Sequence, residues 1–189
     1  MRTYGDLCGI ARALDVVGER WALLVVRELE QAGVLRRRTL APPAGSRVYE
    51  LTERGQELER VLLALGTWGS AAPVPPGNPR LGVDSTMIAL RTLFDADAAR
   101  DLDATFELRL GDQVFHVRVA AGDLELERGE APHAEATITA DPMTLGGVMW
   151  QRVGLAEAER AGAMTIEGDR RAAKRFLGLF PLPEGAPTA

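Results

Sequence analysis

Four arginines, at positions 36, 37, 38 and 47, are the side chains of this sequence best suited to bind an anion. A guanidinium group presents a fork of N–H donors that matches the oxygens of a phosphate. If residues 33–39 form a strand, alternation places Arg36 and Arg38 on one face and Arg37 on the other, with Arg47 returning on the partner strand. Such a cluster could clamp a DNA backbone or enter a minor groove. The alternative is a solvated run of charges.

Groups suited to catalysis are sparse. His116 falls at an outward position of a predicted strand and His133 follows Pro132 in a loop, and neither has a cysteine or acidic neighbour at metal-ligand spacing. The sequence contains no phosphate-binding glycine loop and no nucleophile elbow. The pair Gly146-Gly147 inside a predicted helix indicates close packing or close approach of a ligand. We therefore expect no enzyme activity, no metal and no cofactor.

Apolar side chains of the second half are candidates for a ligand pocket, because methionine and aromatic residues suit adaptable apolar sites. An ordinary hydrophobic core would show the same pattern, so both alternatives stay open. The candidates are Phe106, Phe115, Met149, Trp150, Val153, Met164, Phe176 and Phe180.

Composition and charge exclude several classes of protein. The 189 residues are 46% hydrophobic and 26% charged, which excludes disorder and indicates one large or two small globular domains. Residues 1–72 carry ten arginines and nine acidic residues, whereas the rest carries twelve basic and eighteen acidic residues, so only the first part favours nucleic acid. The single cysteine, Cys8, cannot form an internal disulfide, and the charged first twenty residues do not resemble a signal peptide. We expect a cytoplasmic location without membrane contact.

The first part of the chain is predicted to be mostly helical with a two-stranded wing. Apolar spacing predicts helices over residues 5–29, with a break at Gly18, and over 53–69, capped by Thr52. Between them, residues 33–39 and 47–51 indicate two short strands joined by a turn-rich tip at 40–46. Four prolines in residues 71–80 predict a semi-rigid linker.

Residues 81–183 are predicted to form a sheet covered by helices on one face, followed by a tail at 184–189. A helix at 81–94 precedes strands whose residues alternate between apolar and polar, with Gly111-Asp112 as a hairpin turn. Asp141-Pro142 and Asp169 mark helix starts. Helices with Leu145 to Val153, at 155–161 and with Ala172 to Phe180 then cover the apolar face. The fold class is therefore α+β, with an N-terminal winged helix and this C-terminal sheet.

The first seventy residues resemble HxlR-type winged-helix transcriptional regulators. Residues 8–29, CGIARALDVVGERWALLVVREL, follow that family's opening pattern C-x-I-A-x-A-L-x-x-[VI]-G-x-[KR]-W, and residues 30–38 and 49–58 resemble its wing and last helix. The resemblance implies a DNA-binding dimer and a wing formed around Arg36, Arg37, Arg38 and Arg47. It also places Cys8 where some relatives carry a redox-sensing cysteine; the alternative is a small buried hydrophobic residue.

One part of the family pattern is missing. The third helix and most of the recognition helix, which together take roughly 25 to 35 residues, are absent between Arg27 and Glu30. Either a segment is omitted from the sequence or the deletion is real. A real deletion would remove the helix that reads bases in the major groove.

Residues 81–183 resemble sterol-carrier-protein-like domains, which hold lipids between a sheet and helices. The stretches ATITADPMTL at 136–145 and MTIEGDRR at 164–171 carry this resemblance.

Together these observations predict a dimeric transcriptional regulator that binds double-stranded DNA and responds to an apolar small molecule or lipid. The alternative is a lipid carrier whose incomplete winged helix serves only dimerisation. The predicted dimer interface consists of apolar residues of the first and second helices: Leu7, Ile10, Leu58, Val61, Leu62, Leu65 and Trp68.

Overall fold

The computed structural model describes residues 28–39, 47–73, 80–183 and 186. Within them lie a two-stranded sheet, a mixed five-stranded sheet and, after the helical residues 28–31, five helices numbered α1 to α5 in chain order, so the predicted α+β class is confirmed. The predicted helix before residue 28, the wing tip at 40–46, most of the linker and most of the C-terminal tail lie outside the described residues.

The wing follows directly after a helical segment. Residues 28–31 are helical, and Gly33, with a φ of 70°, ends the helix in the left-handed region that glycine adopts at low cost. The predicted first strand therefore begins later than Gly33: β1 is Leu35–Thr39, and it pairs antiparallel with β2, Arg47–Leu51. Between residues 31 and 35 the chain forms no further helix.

Helix α1, Glu53–Ser70, connects the wing to the rest of the molecule. Its predicted cap is confirmed, because the Thr52 side chain accepts a hydrogen bond from the Gly55 amide. Helix α1 packs against α2, Val83–Leu93, and Arg91 of α2 forms an ion pair with Glu59 of α1 at 2.9 Å. The buried residues of α1 are Gly55, Gly66, Gly69 and Ser70.

Five strands form the larger sheet. In chain order they are β3 Ala104–Leu110, β4 Gln113–Ala120, β5 Asp123–Arg128, β6 Ala136–Ala140 and β7 Met164–Gly168. The order across the sheet is β5-β4-β3-β6-β7, and every pair is antiparallel except β3 with β6. The connection between β3 and β6 thus passes through the hairpin partners β4 and β5.

Three helices complete the second half: α3 Pro142–Met149, α4 Leu155–Arg160 and α5 Arg170–Leu177. Asp141 caps α3 through the Thr144 amide, and Asp169 caps α5 through the Arg171 and Ala172 amides, as the sequence predicted. The core lies between these helices and the apolar face of the sheet, where Phe106 of β3 stacks on Phe176 of α5. No described helix is both long and apolar enough to cross a membrane.

Candidate functional site

Thr52 and Gly55 hold the wing against α1. The Thr52 amide donates to the Val34 carbonyl at 3.0 Å, and the Thr52 hydroxyl contacts the Gly33 carbonyl. A Cβ at Gly55 would lie 2.2 Å from the Val34 carbonyl oxygen, so only glycine allows the helix to approach the strand this closely. The base of the wing is therefore fixed by backbone contacts.

Arg36 and Arg38 lie on one face of the wing and share one carboxylate. Glu50 of β2 forms an ion pair with Arg36, its register partner, and with Arg38 at 3.1 Å. The hydrogen bonds from Arg38 and Arg36 lower the pKa of Glu50, so this carboxylate is ionised at neutral pH. Both guanidinium groups remain about two thirds exposed, at 67% for Arg36 and 62% for Arg38.

Arg37 points to the other face of the wing, as strand alternation predicted. Its guanidinium forms an ion pair with Glu30 at 3.0 Å and lies 5.5 Å from the centre of the Tyr49 ring. The charge of Glu30 is the largest cause that raises the pKa of Arg37 above its ordinary value, and the charge of Tyr49 is the next largest. The fourth predicted arginine, Arg47, is the register partner of Thr39. Its side chain lies outside the described part of the structure.

The two acidic partners of the wing were not predicted from the sequence. Glu30 and Glu50 balance two of the three described guanidinium groups, so the wing carries less net positive charge than its arginines alone suggest. The contact with Glu50 could have been found from the strand register, because antiparallel pairing of β1 with β2 places Glu50 opposite Arg36. Phosphate binding at this surface must therefore compete with, or share, the contacts to Glu50.

The described part of the predicted dimer interface is an apolar stripe on α1, here called the α1 stripe: Leu58, Val61, Leu62, Leu65 and Trp68. Val61 is 60% exposed, Leu62 42% and Trp68 55%, while Leu58 and Leu65 are half-buried. Leu7, Ile10 and Cys8 lie outside the described residues. The stripe is therefore not part of the described core, and its role in dimerisation stays a prediction.

All of the predicted pocket residues lie in the core or pack against it. Phe106, Phe115, Met149, Met164, Phe176 and Phe180 are buried, and Trp150 and Val153 are half-buried against them. Phe176 lies 4.6 Å from Phe106 and 5.1 Å from Phe180, measured between ring centres. These aromatic side chains pack on one another, so a ligand among them would require the core to open.

Two surface clefts lie elsewhere. One, of about 400 Å³, is formed where α1, the end of α2 and the segment 181–183 meet. The other, of about 260 Å³, lies between α2 and the edge strand β5, and Phe115 is the only predicted pocket residue among its lining residues. Arg128 lies over the Phe115 ring and forms an ion pair with Asp84 at the rim of that second cleft.

The polar face of the sheet contains one buried charge that the alternation did not predict. Glu107 accepts a hydrogen bond from the Ala131 amide at 2.9 Å and forms an ion pair with Arg109 at 2.7 Å. The bond from Ala131 is the main cause that lowers the pKa of Glu107. His116 is its register partner on β4, and no described group of three or more His, Cys, Asp or Glu side chains could hold a metal ion.

The fold therefore defines a two-part α+β protein, with a wing and helix beside a helix-covered sheet. Residues 9–74 match the model of the HxlR-like helix-turn-helix family, which confirms the resemblance seen in the sequence. Residues 84–186 match the model described as alkyl sulfatase C-terminal, and since this match covers more than half of the chain, the chain belongs to that family.

Solved structures show the same fold for the second half. The stereoselective inverting sec-alkylsulfatase Pisa1 from a Pseudomonas species shares 20% identity over 66% of this chain and 21% of its own, with a TM-score of 0.52. A double mutant of the sec-alkyl sulfatase PisA1 shares 24% identity over 56% of this chain and 17% of its own, with a TM-score of 0.50.

This chain thus spans about a fifth of the length of those sulfatases. A crystal structure of sterol carrier protein 2 shares 17% identity over 50% of this chain and 91% of its own, with a TM-score of 0.35. No curated protein matches the chain.

Proposed function

We propose that this protein is a dimeric DNA-binding transcriptional regulator whose C-terminal domain responds to an apolar small molecule. The observation that carries the proposal is the pair Arg36 and Arg38, exposed on one face of a wing within an HxlR-like segment. The wing would contact phosphates and would supply affinity that does not depend on sequence.

Replacing Arg36 and Arg38 together with alanine is expected to weaken binding to a DNA duplex at least about tenfold at low salt. Each lost phosphate contact also removes about one unit from the slope of log K against log salt, so the slope is expected to fall by about two. Fluorescence anisotropy between 50 and 200 mM salt, on two duplexes of unrelated sequence, measures both changes. We expect the same loss on both duplexes.

The matched control replaces Arg100 and Arg170 with alanine. This pair carries the same charge and is also exposed, but it belongs to the second half of the chain. Control and unaltered protein are expected to bind alike. If the unaltered protein binds no DNA, or if both double variants lose affinity equally, the proposal is wrong.

A change at Glu50 is expected to act in the opposite direction. Glu50→Gln removes the carboxylate that Arg36 and Arg38 share, so both guanidinium groups become available to phosphates. We expect DNA affinity to rise by about threefold to tenfold at low salt, with the gain fading as salt rises. Glu57→Gln, an exposed position on α1 with the same charge change, serves as the control. Unchanged affinity for Glu50→Gln would place the DNA elsewhere than on this face.

The alternative function is that of a lipid carrier whose incomplete winged helix only dimerises. The acidic partners Glu30 and Glu50 favour it, because they reduce the positive charge of the wing. A protein that binds apolar ligands and shows no salt-dependent DNA binding would support the carrier. Absence of catalysis remains a prediction for either function.

A further inference from the structure

Helix α5 carries a cluster of basic side chains on an otherwise acidic domain. Its eight residues include four basic and no acidic ones, although residues 73–189 together contain twelve basic and eighteen acidic residues. The inner face of α5 is anchored in the core by the buried residues Ala173, Phe176 and Leu177. The basic side chains are therefore held on the outer face of a well-packed helix.

Three of these basic side chains share one face and have no carboxylate partner. Arg171, Lys174 and Arg175 are exposed and follow the spacing i, i+3 and i+4, which brings helical side chains together. No described residue forms a hydrogen bond or an ion pair with the side chain of Arg171 or Lys174. Arg175 donates at 3.2 Å to the backbone carbonyl of Asp101, which carries no charge. We call these three residues the α5 cations.

The fourth basic residue of α5, Arg170, is already paired. Its guanidinium donates to the two carboxylate oxygens of Glu159 on α4, at 3.1 and 2.6 Å. Such a bidentate pair compensates the charge of Arg170. The described arginines of the wing are also paired, with Glu30 and Glu50. Of these two basic surfaces in the described structure, only the α5 cations are free of carboxylate partners.

The wing and α5 are connected to opposite ends of α1. The wing precedes Glu53, whereas the cleft of about 400 Å³ joins Thr67, near the end of α1, to residues 181–183, which follow α5. A helix rises about 1.5 Å per residue, so Glu53 and Thr67 are about 21 Å apart along α1. One turn of a DNA duplex is about 34 Å long. A duplex of about two turns is therefore long enough to extend from the wing to α5.

We propose that the α5 cations bind the phosphate backbone of the same duplex that the wing contacts. A helix face with three uncompensated cations is complementary in charge to a regular series of phosphates. Contacts with phosphates do not read the base sequence, so α5 would add affinity and orientation rather than specificity. The inference rests on the proposed DNA-binding function, and it adds a contact from the domain whose total charge disfavours nucleic acid.

Arg171→Gln with Lys174→Gln tests this contact in fluorescence anisotropy with a duplex of about 24 base pairs, just over two turns. Glutamine has nearly the helix propensity of arginine and lysine, so α5 is expected to stay folded, which circular dichroism checks. We expect DNA affinity to fall about fivefold to tenfold at low salt. The slope of log K against log salt is expected to fall by about two, as for two lost phosphate contacts.

The control for this variant is Arg100→Gln with Arg128→Gln. It removes the same charge from the same half of the chain, but both of these exposed arginines are paired with carboxylates. We expect the control to bind DNA as the unaltered protein does. An α5 variant whose affinity and salt slope equal those of the control would contradict the inference.

Glu159→Gln provides a change in the opposite direction. It removes the carboxylate partner of Arg170 and so adds a fourth free cation to α5. We expect DNA affinity to rise about twofold to fivefold at low salt. The control is Glu157→Gln, which makes the same charge change at another exposed position of α4. Equal gains for the two variants would show that net charge alone sets the affinity, against a specific contact at α5.

The outcomes also separate this inference from the proposed function. If the Arg36 and Arg38 variant loses DNA affinity while the α5 variant does not, the inference alone is overturned. If the unaltered protein binds no DNA, the proposed function and the inference are both overturned. Sedimentation with vesicles of phosphatidylcholine and phosphatidylserine tests the other polyanionic surface that three cations fit. Vesicle binding that depends on Arg171 and Lys174, together with DNA binding that does not, would assign α5 to a membrane and overturn the DNA contact.

Discussion

Replacing Phe176 with alanine is expected to lower the free energy of unfolding by about 3–5 kcal/mol, which is the usual cost of truncating a buried phenylalanine. The side chain is fully buried. Its ring stacks on Phe106 from the sheet and meets Phe180 edge to face, so its removal leaves a cavity between two rings that cannot both move into it. Urea denaturation followed by circular dichroism measures the change.

Phe94→Ala is the matched control for this experiment. Phe94 is half-buried and lies 6.0 Å from the Phe180 ring, so the same truncation is expected to cost less. The comparison also decides between the two interpretations of the apolar residues. If Phe176 lined a ligand cavity rather than a packed core, its truncation would enlarge an existing space. If Phe176→Ala lowers the free energy of unfolding no more than Phe94→Ala does, a pocket around Phe176 would therefore be favoured.

The helix starts could be predicted from the sequence because each depends on a few neighbouring residues. Asp141 followed by Pro142 marks the first turn of α3, and Asp169 marks α5, since a side-chain oxygen can bond amides two or three residues further on. The strand alternation was equally local. It assigned Phe106 to the buried face and Arg36 and Arg38 to a shared face of the wing, as observed.

The pairing of distant strands could not be predicted in the same way. Strand β6 pairs parallel with β3 across the whole hairpin of β4 and β5, and no feature of residues 136–140 encodes that partner. The burial of Glu107 could not be predicted for a related reason. Strand alternation places Glu107 on the polar face of the sheet, but the residue is buried there, and its carboxylate accepts a hydrogen bond from the Ala131 amide in the loop before β6. A contact supplied by a loop leaves no periodic signal.

The sequence predicted which residues form the candidate site but not the contacts that these residues make. The arginines of the wing were found, whereas Glu50 was not, because an ion pair across two strands depends on register. The cleft of about 400 Å³ was not predicted, because its described lining residues come from three separate segments of the chain.

The α1 stripe carries the second large expected effect. Exposed side chains as apolar as Val61 and Trp68 on one helix are unfavourable in water, and a second copy of the same stripe is the partner that our proposal requires. We therefore expect the unaltered protein to be a dimer in light scattering coupled to size exclusion. Val61→Glu with Trp68→Glu is expected to yield monomers, because dimerisation would bury four uncompensated carboxylates.

The same double variant is expected to weaken DNA binding by about a hundredfold or more, since one wing per particle loses the effective concentration that a linked second wing provides. The control is Ile88→Glu with Met143→Glu, which adds the same charge at exposed apolar positions outside the stripe. This control separates dimerisation from simple repulsion of DNA by added carboxylates, because repulsion would affect both variants alike. If the control stays dimeric and binds DNA while the stripe variant does neither, α1 joins the two wings. A stripe variant that remains dimeric would place the interface on another surface.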